Sequence, residues 1–91
     1  MDIAQRQSIE RELEQLVYRF SHCIDKRRYE ELASLFTEDG EFDRVGQPLH
    51  GRAAILEAMQ GRHPLLTRHA VTNLLFTRVE ATEAEATMYV A

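Results

Sequence analysis

Asp25 and His69 are the two side chains of this sequence best suited to acid–base chemistry. A carboxylate beside an imidazole holds the ring in one tautomer and stabilises the imidazolium that forms when the ring takes a proton from carbon or oxygen. An inward-pointing His69 needs a polar partner, because burying an unpaired polar group costs about 1–3 kcal/mol. Asp25 is the natural candidate for that partner. Two other interpretations stay open: Asp25 could cap the helix that follows it, and His69 could be a solvated strand residue.

Further polar residues lie at spacings that bring them near this pair. Tyr18, His22 and Asp25 are separated by four and three residues, so they lie along one side of a helix. In a strand that alternates with period two, side chains two residues apart point to the same face. The face that contains His69 also carries Val71, Asn73 and Leu75. This combination of polar groups in an apolar setting is typical of a small-molecule site.

Other kinds of site find no support in the sequence. His22 precedes Asp25 by three residues, but neither an HxxxH pair nor a set of cysteines accompanies them, so we expect no metal. Ser21 and Cys23 lack a nucleophile motif, and no glycine-rich phosphate loop is present, so we expect no cofactor. Asp43 is ambiguous, because alternation from the neighbouring residue turns it outward whereas a bent strand would suit a general base.

Hydrophobic periodicity predicts helices followed by strands. Apolar residues from Ile9 to Ile24 recur three and four positions apart, which predicts a helix over residues 4–24. The other predicted elements are a helix over 26–36, a strand over 41–45, a turn at Gln47 and Pro48, a helix over 51–60, and strands over 67–80 and 84–91.

This order of elements favours a single α+β domain over residues 1–91, with the helices laid on one face of a curved antiparallel sheet. Three strands are few for such a sheet. A strand that ends at Ala91 leaves an unpaired edge, which natural proteins seldom leave bare. We therefore expect either residues beyond 91 that complete the sheet or pairing with a second subunit.

Charge and composition exclude several partners. The 91 residues include 11 Lys plus Arg and 15 Asp plus Glu, a net charge of −4 that argues against a nucleic-acid partner. The basic run at 26–28 fits a solvated helix face, with an anion contact as the alternative. No apolar stretch approaches the roughly 20 residues that cross a bilayer, and the start lacks a signal peptide. Together with the lone Cys23, these features predict a cytoplasmic protein with no membrane partner.

Five segments of the chain carry a recognisable pattern: VYRF at 17–20, IDKRRYEELASLF at 24–36, DGEF at 39–42, GRAAI at 51–55 and TRHAVTN at 67–73. In this order they resemble the SnoaL-like branch of the nuclear transport factor 2-like superfamily. The resemblance implies a cone-shaped, strongly curved antiparallel sheet wrapped around the N-terminal helices, with a pocket inside. It also implies a homodimer or higher homo-oligomer, and two further strands after Ala91.

Within that family, the pattern is most similar to scytalone dehydratase, bile-acid dehydratase and hexachlorocyclohexane dehydrochlorinase. Each has an aspartate late in the first helix and a histidine on the long strand, so the resemblance implies Asp25 and His69 as a catalytic dyad. These enzymes also carry a tyrosine or lysine five residues before the aspartate or directly before it. This sequence has Phe20 and Ile24 at those positions, so another donor must assist the leaving group.

The sequence therefore predicts a cofactor-independent lyase or isomerase, namely a dehydratase, isomerase or cyclase that acts on a small, largely apolar ring compound. Asp25 and His69 are its expected catalytic residues, and Tyr18, Asn73 or a residue beyond Ala91 would replace the missing donor. The alternative is a non-catalytic ligand-binding or assembly module of the same fold, like the small subunit of ring-hydroxylating dioxygenases. The residues expected to contact the substrate are Tyr18, Phe20, Phe42, Val71, Asn73 and Leu75.

Overall fold

The computed structural model describes residues 1–91 and is an α+β structure with antiparallel strands, as the sequence predicts. The strands form two antiparallel pairs, β1 with β2 and β3 with β4. None of the helices has the length and apolar character that crossing a membrane requires. The elements in chain order are α1 (Ile3–Asp25), α2 (Tyr29–Ser34), β1 (Glu41–Arg44), β2 (Gln47–His50), α3 (Arg52–Gln60), β3 (Val71–Val79) and β4 (Ala84–Val90).

The chain divides into two compact units. The first unit comprises Met1–Ser21 and His69–Ala91, and the second comprises His22–Arg68. In the second unit, α2 packs against α3, and α3 packs against β2. The buried apolar side chains all belong to this second unit, and they are Cys23, Leu32, Ala33, Leu49, Ile55 and Met59. Burial of this kind contributes about 25 cal/mol per Å² of apolar surface removed from water, so the second unit contains the main core.

Helix α1 is confirmed over its predicted range, and it ends in a Schellman motif. The Arg27 N–H donates to the Ile24 carbonyl at 3.1 Å, and the Arg28 N–H donates to the Cys23 carbonyl at 2.8 Å. Arg27 takes the left-handed conformation that this motif requires, with a φ of 57°. The predicted helix over 26–36 is therefore wrong at its start, because the left-handed residue breaks the helical path before α2 begins.

Strands β1 and β2 form a hairpin whose two-residue turn is Val45 and Gly46. Their φ values are 48° and 82°, and positive φ at both positions is the mark of a type I′ turn. The predicted turn at Gln47 and Pro48 is wrong, since these residues begin β2 and Pro48 pairs with Asp43. Proline is tolerated there because each strand of a two-stranded pair is an edge strand, with one side that needs no N–H donor.

Helix α3 confirms the helix predicted over 51–60. Gly51 precedes it with a φ of 85° and a ψ of 155°, a region of backbone space that favours glycine. The Gly51 N–H donates to the Gly40 carbonyl at 2.7 Å, so the entrance to α3 is tied to the start of the hairpin. At the other end, Arg44 Nη1 donates to the Ala58 carbonyl in the last turn at 3.4 Å.

In the first unit, β3 contains a bulge at Asn73. The register passes from Thr72 opposite Tyr89 to Leu75 opposite Thr87, so β3 contributes one residue more than β4 across this step. Asn73 has a φ of 56°, the left-handed conformation that asparagine tolerates better than most residues. The predicted strict alternation along this strand is therefore wrong.

The bulge changes which residues share a face of β3. Leu75, predicted to lie with Val71, is 62% exposed on the opposite face. A second irregularity lies between Phe76 and Arg78. The strand also begins later than predicted, at 71 instead of 67, although reciprocal hydrogen bonds between Ala70 and Ala91 extend the ladder. The half-buried residues of the strand's apolar face are Val71, Leu74, Phe76 and Val79.

A cluster of charges lies near the turn that joins β3 to β4. Arg78 Nη1 is 3.1 Å from Glu80 Oε1, and Nη2 donates to Glu85 Oε1 at 3.0 Å. Arg78 Nη1 also donates to Glu83. These bonds, with that to Glu83 the strongest, raise the pKa of Arg78 above its already high ordinary value, so the guanidinium stays charged and links both strands.

Candidate active site

Asp25 is the last residue of α1 and is half-buried. A carboxylate at a helix C-terminus meets the negative end of the helix dipole, an arrangement that typically costs about 0.3–1 kcal/mol. Asp25 does not cap the next helix, because the N-cap of α2 is Arg28 and no side chain makes a capping bond there. The Schellman motif fixes the backbone immediately after Asp25.

Thr67 is a partner of Asp25 that sequence reasoning missed. Its hydroxyl Oγ1 donates to Asp25 Oδ1 at 2.9 Å. Both residues are half-buried, and both belong to the second unit. Thr67 lies in the segment 63–70, which has neither helix nor strand and leads into β3. No local signal could have identified this pair, since 42 residues separate its members and only the folded chain brings them together.

His69 follows Thr67 by two residues and is half-buried in the first unit. It lies in the same irregular segment, ahead of β3, and not within the regular strand that the sequence predicts. The segment 63–70 therefore carries both the hydroxyl that donates to Asp25 and the predicted base, His69.

The predicted substrate-contacting residues fall into two groups by exposure. In the second unit, Phe42 is half-buried and stacks on Phe36, with ring centroids 5.8 Å apart and an angle of 26° between the rings. In the first unit, Phe20 and Val71 are half-buried. The exposed group consists of Tyr18, Asn73 and Leu75.

Asn73 and Leu75 line an open groove of about 370 Å³ in the first unit. The groove runs along the exposed side of the β3–β4 pair and is completed by Leu74, Thr87 and Tyr89. Asn73 reaches this position because the bulge carries it out of the regular alternation. The structure thus places Asn73 on a surface groove next to apolar side chains.

The structure also gives the surroundings of three other side chains that the sequence suggests as chemical groups, namely Asp43, His22 and Cys23. Asp43 is exposed in a regular strand, between half-buried neighbours, so the bend that would turn it inward is absent. His22 is exposed near the end of α1. Cys23 is fully buried, and its Sγ donates to Glu31 Oε2 at 2.9 Å. No group of three or more His, Cys, Asp or Glu side chains is placed to hold a metal ion.

The elements and their order define a helix-first α+β domain with antiparallel strand pairs. The sequence profile of the SnoaL-like domain matches residues 5–91, nearly the whole chain. The chain therefore belongs to the SnoaL-like domain family, which confirms the family suggested by the sequence pattern.

Solved structures with the same fold include a protein from Novosphingobium aromaticivorans assigned as a scytalone dehydratase. It is 27% identical, with a TM-score of 0.84, and the match covers 98% of this chain and 62% of that one. A Catenulispora acidiphila protein in complex with S-DNPA is 29% identical, with a TM-score of 0.69, over 92% of this chain and 66% of that one.

A third similar structure is ActVI-ORFA from Streptomyces coelicolor. It is 24% identical with a TM-score of 0.77, over 90% of this chain and 66% of that one, a likeness of fold alone. The chain thus spans less than two thirds of the length of each of these structures. No curated protein matches the sequence.

Proposed function

We propose that the chain supplies the acid–base dyad of a cofactor-independent lyase or isomerase, a dehydratase, isomerase or cyclase acting on a small, largely apolar ring compound. His69 is the base, and Asp25 orients its ring and stabilises the imidazolium. The proposal includes the cone-shaped sheet and the homodimer that the family resemblance implies.

The observation that supports this proposal is the hydrogen bond from Thr67 to Asp25. Two residues of chain span at most about 7 Å between Cα atoms, so His69 is tethered close to the residue that contacts the carboxylate. Half-burial of Asp25 and His69 favours the same role, since an ion pair or hydrogen bond is stronger where water is partly excluded.

In a dehydration, the imidazole of His69 takes a proton from the carbon next to the one that bears the hydroxyl group. The electron pair of that C–H bond forms the new double bond, the C–O bond breaks, and the oxygen leaves as water after accepting from the His69 imidazolium the proton that the ring took from carbon. The half-buried Phe20, Phe42 and Val71 are the proposed apolar contacts of the substrate. The exposed Tyr18 is the proposed donor to the departing oxygen, whereas Asn73 and Leu75 line the groove on the side of β3 opposite to Val71.

A panel of ring-hydroxyl compounds tests this proposal, with loss of water followed by mass spectrometry. His69→Ala should lower kcat/KM by about 10²–10⁴-fold, the usual contribution of a general base. Asp25→Asn should lower it by up to about 10⁴-fold, as losing the orienting carboxylate does in a serine protease. His22→Ala is the matched control, because it removes an exposed imidazole from α1 and should leave turnover unchanged. Parent-like turnover by His69→Ala contradicts the proposal.

A ligand-binding role without catalysis is the second candidate, and one observation favours it. The similar structure from Catenulispora acidiphila contains a bound small molecule, S-DNPA. Ligand-observed NMR with the same panel separates the two functions. Binding of ring compounds without conversion, retained in His69→Ala, supports a binding module, whereas conversion that depends on His69 supports the enzyme.

A further inference from the structure

We propose that Thr67 is a positioning residue for Asp25, whose hydroxyl holds the carboxylate in one rotamer for its work with His69. The role assigned to Asp25 rests on the proposed function. The contact itself is independent of that function, since it is a 2.9 Å hydrogen bond between two half-buried side chains of one compact unit.

The location of Asp25 explains why such a residue is required. At the end of α1 the helix dipole disfavours a negative charge. Three exposed cations, Lys26, Arg27 and Arg28, follow in the chain and offer other attractions for the carboxylate. The hydroxyl of Thr67, 42 positions further along the chain, selects one direction for the Asp25 side chain.

Threonine is well suited to this task. Its Cβ carries two heavy atoms, which makes χ1 stiffer than in serine, so the hydroxyl is presented from a restricted set of directions. A hydroxyl has one proton to donate, and at Thr67 that proton is directed to Asp25 Oδ1. Half-burial limits competition from water, which strengthens the bond relative to one on the surface.

The hydrogen bond from Thr67 to Asp25 also couples the two residues of the proposed dyad through the backbone, because Thr67 lies two residues before His69. Thr67 and His69 lie in the same short irregular segment, which meets the β3–β4 ladder only at Ala70, through its hydrogen bonds with Ala91. A hydrogen bond from this segment to the end of α1 therefore restrains the path of the chain just before the predicted base. Loss of the hydroxyl should increase the mobility of the Asp25 side chain first, and that of residues 63–70 with it.

NMR of the parent chain and three variants tests the proposal without any substrate. Thr67→Val removes the hydroxyl at nearly constant shape, and Thr67→Ser returns a hydroxyl. Thr37→Val is the matched control, because Thr37 Oγ1 donates to Asp39 Oδ1 at 3.1 Å in an exposed pair elsewhere in the unit. The readout is the set of three-bond couplings that report the χ1 rotamer of Asp25.

Thr67→Val should average the Asp25 couplings, because the donor that holds the carboxylate in one direction is lost. Thr67→Ser should restore the parent couplings, and Thr37→Val should leave them unchanged. Should Thr67→Val not fold, Thr67→Ala gives the same test. Parent-like Asp25 couplings in Thr67→Val overturn the inference, even if His69 proves essential for turnover. A failure of the dyad in the turnover assay leaves this NMR result intact.

Discussion

Val71 and Leu74 lie on the same half-buried face of β3, although they are three positions apart and a regular strand would place them on opposite faces. The bulge at Asn73 is the cause. Its left-handed backbone absorbs one residue and returns the following residues to the register that β4 requires. Which side chains lie on each face of β3 therefore depends on the backbone conformation of Asn73.

Asn73→Val should destabilise the protein by about 1–2 kcal/mol, because a β-branched residue is strained at a φ of 56°. Asn73→Gly should be tolerated, since glycine adopts this conformation without strain. Urea denaturation measures both effects. Thr72→Val, at an exposed position before the bulge, is the control and should change the unfolding free energy by less than about 0.5 kcal/mol. Equal losses at 72 and 73 would argue against a special role for the bulge.

Arg27→Gly should stabilise the protein by up to about 1 kcal/mol. Arg27 is the left-handed residue of the Schellman motif, a position that glycine occupies without the steric cost that a Cβ brings. Thermal and urea denaturation measure the change. The neighbouring Arg28→Gly is the control, because Arg28 has a negative φ of −91° and gains no relief from glycine. A loss of stability in Arg27→Gly would show that the arginine side chain contributes more than its strain costs.

Val45→Asn should also stabilise the protein, by about 0.5–1 kcal/mol. Val45 occupies the first position of the type I′ turn with a φ of 48°, and its side chain is fully exposed. An Asn-Gly pair is strongly preferred in such turns, whereas a β-branched residue is strained there. Gln47→Asn, just beyond the turn, supplies the comparison. A larger gain at 47 than at 45 would contradict the turn assignment.

Cys23 should resist thiol reagents in the native protein and react on unfolding. The side chain has no exposed surface, and its Sγ is hydrogen-bonded to Glu31. Labelling with a maleimide, followed by mass spectrometry across a urea series, measures this protection. Ser34→Cys adds a matched thiol on an exposed position of α2, which should label at once. Labelling of both thiols at one rate in native conditions would contradict the burial of Cys23.

Periodicity and turn chemistry were sufficient to predict α1, α3, the α+β class and the antiparallel strands. Three of the errors share one physical cause. Arg27, Val45 and Asn73 are the non-glycine residues with positive φ. Because of them, the observed start of α2, the hairpin turn and the faces of β3 differ from the predicted ones. Glycine is the usual sequence signal for this conformation, so three residues without that signal could not be recognised from local pattern.

The candidate site was predictable only in part. Asp25 and His69 were suggested by their residue types and by the family pattern, whereas Thr67 appeared to belong to a continuous strand. Its role depends on a contact across 42 residues, and such contacts are set by tertiary packing, which periodicity along one segment does not encode.

The two compact units are completed at different times during synthesis on the ribosome. The stretch His22–Arg68 is continuous, so all of its packing partners have been made before β3 is translated. The first unit combines an early helix with a late hairpin, and α1 must wait for residues 69–91 before that unit can form. Since chains fold progressively as they emerge, the inner stretch should assemble first, and the early helix should stay open to chaperones and proteases until the hairpin arrives.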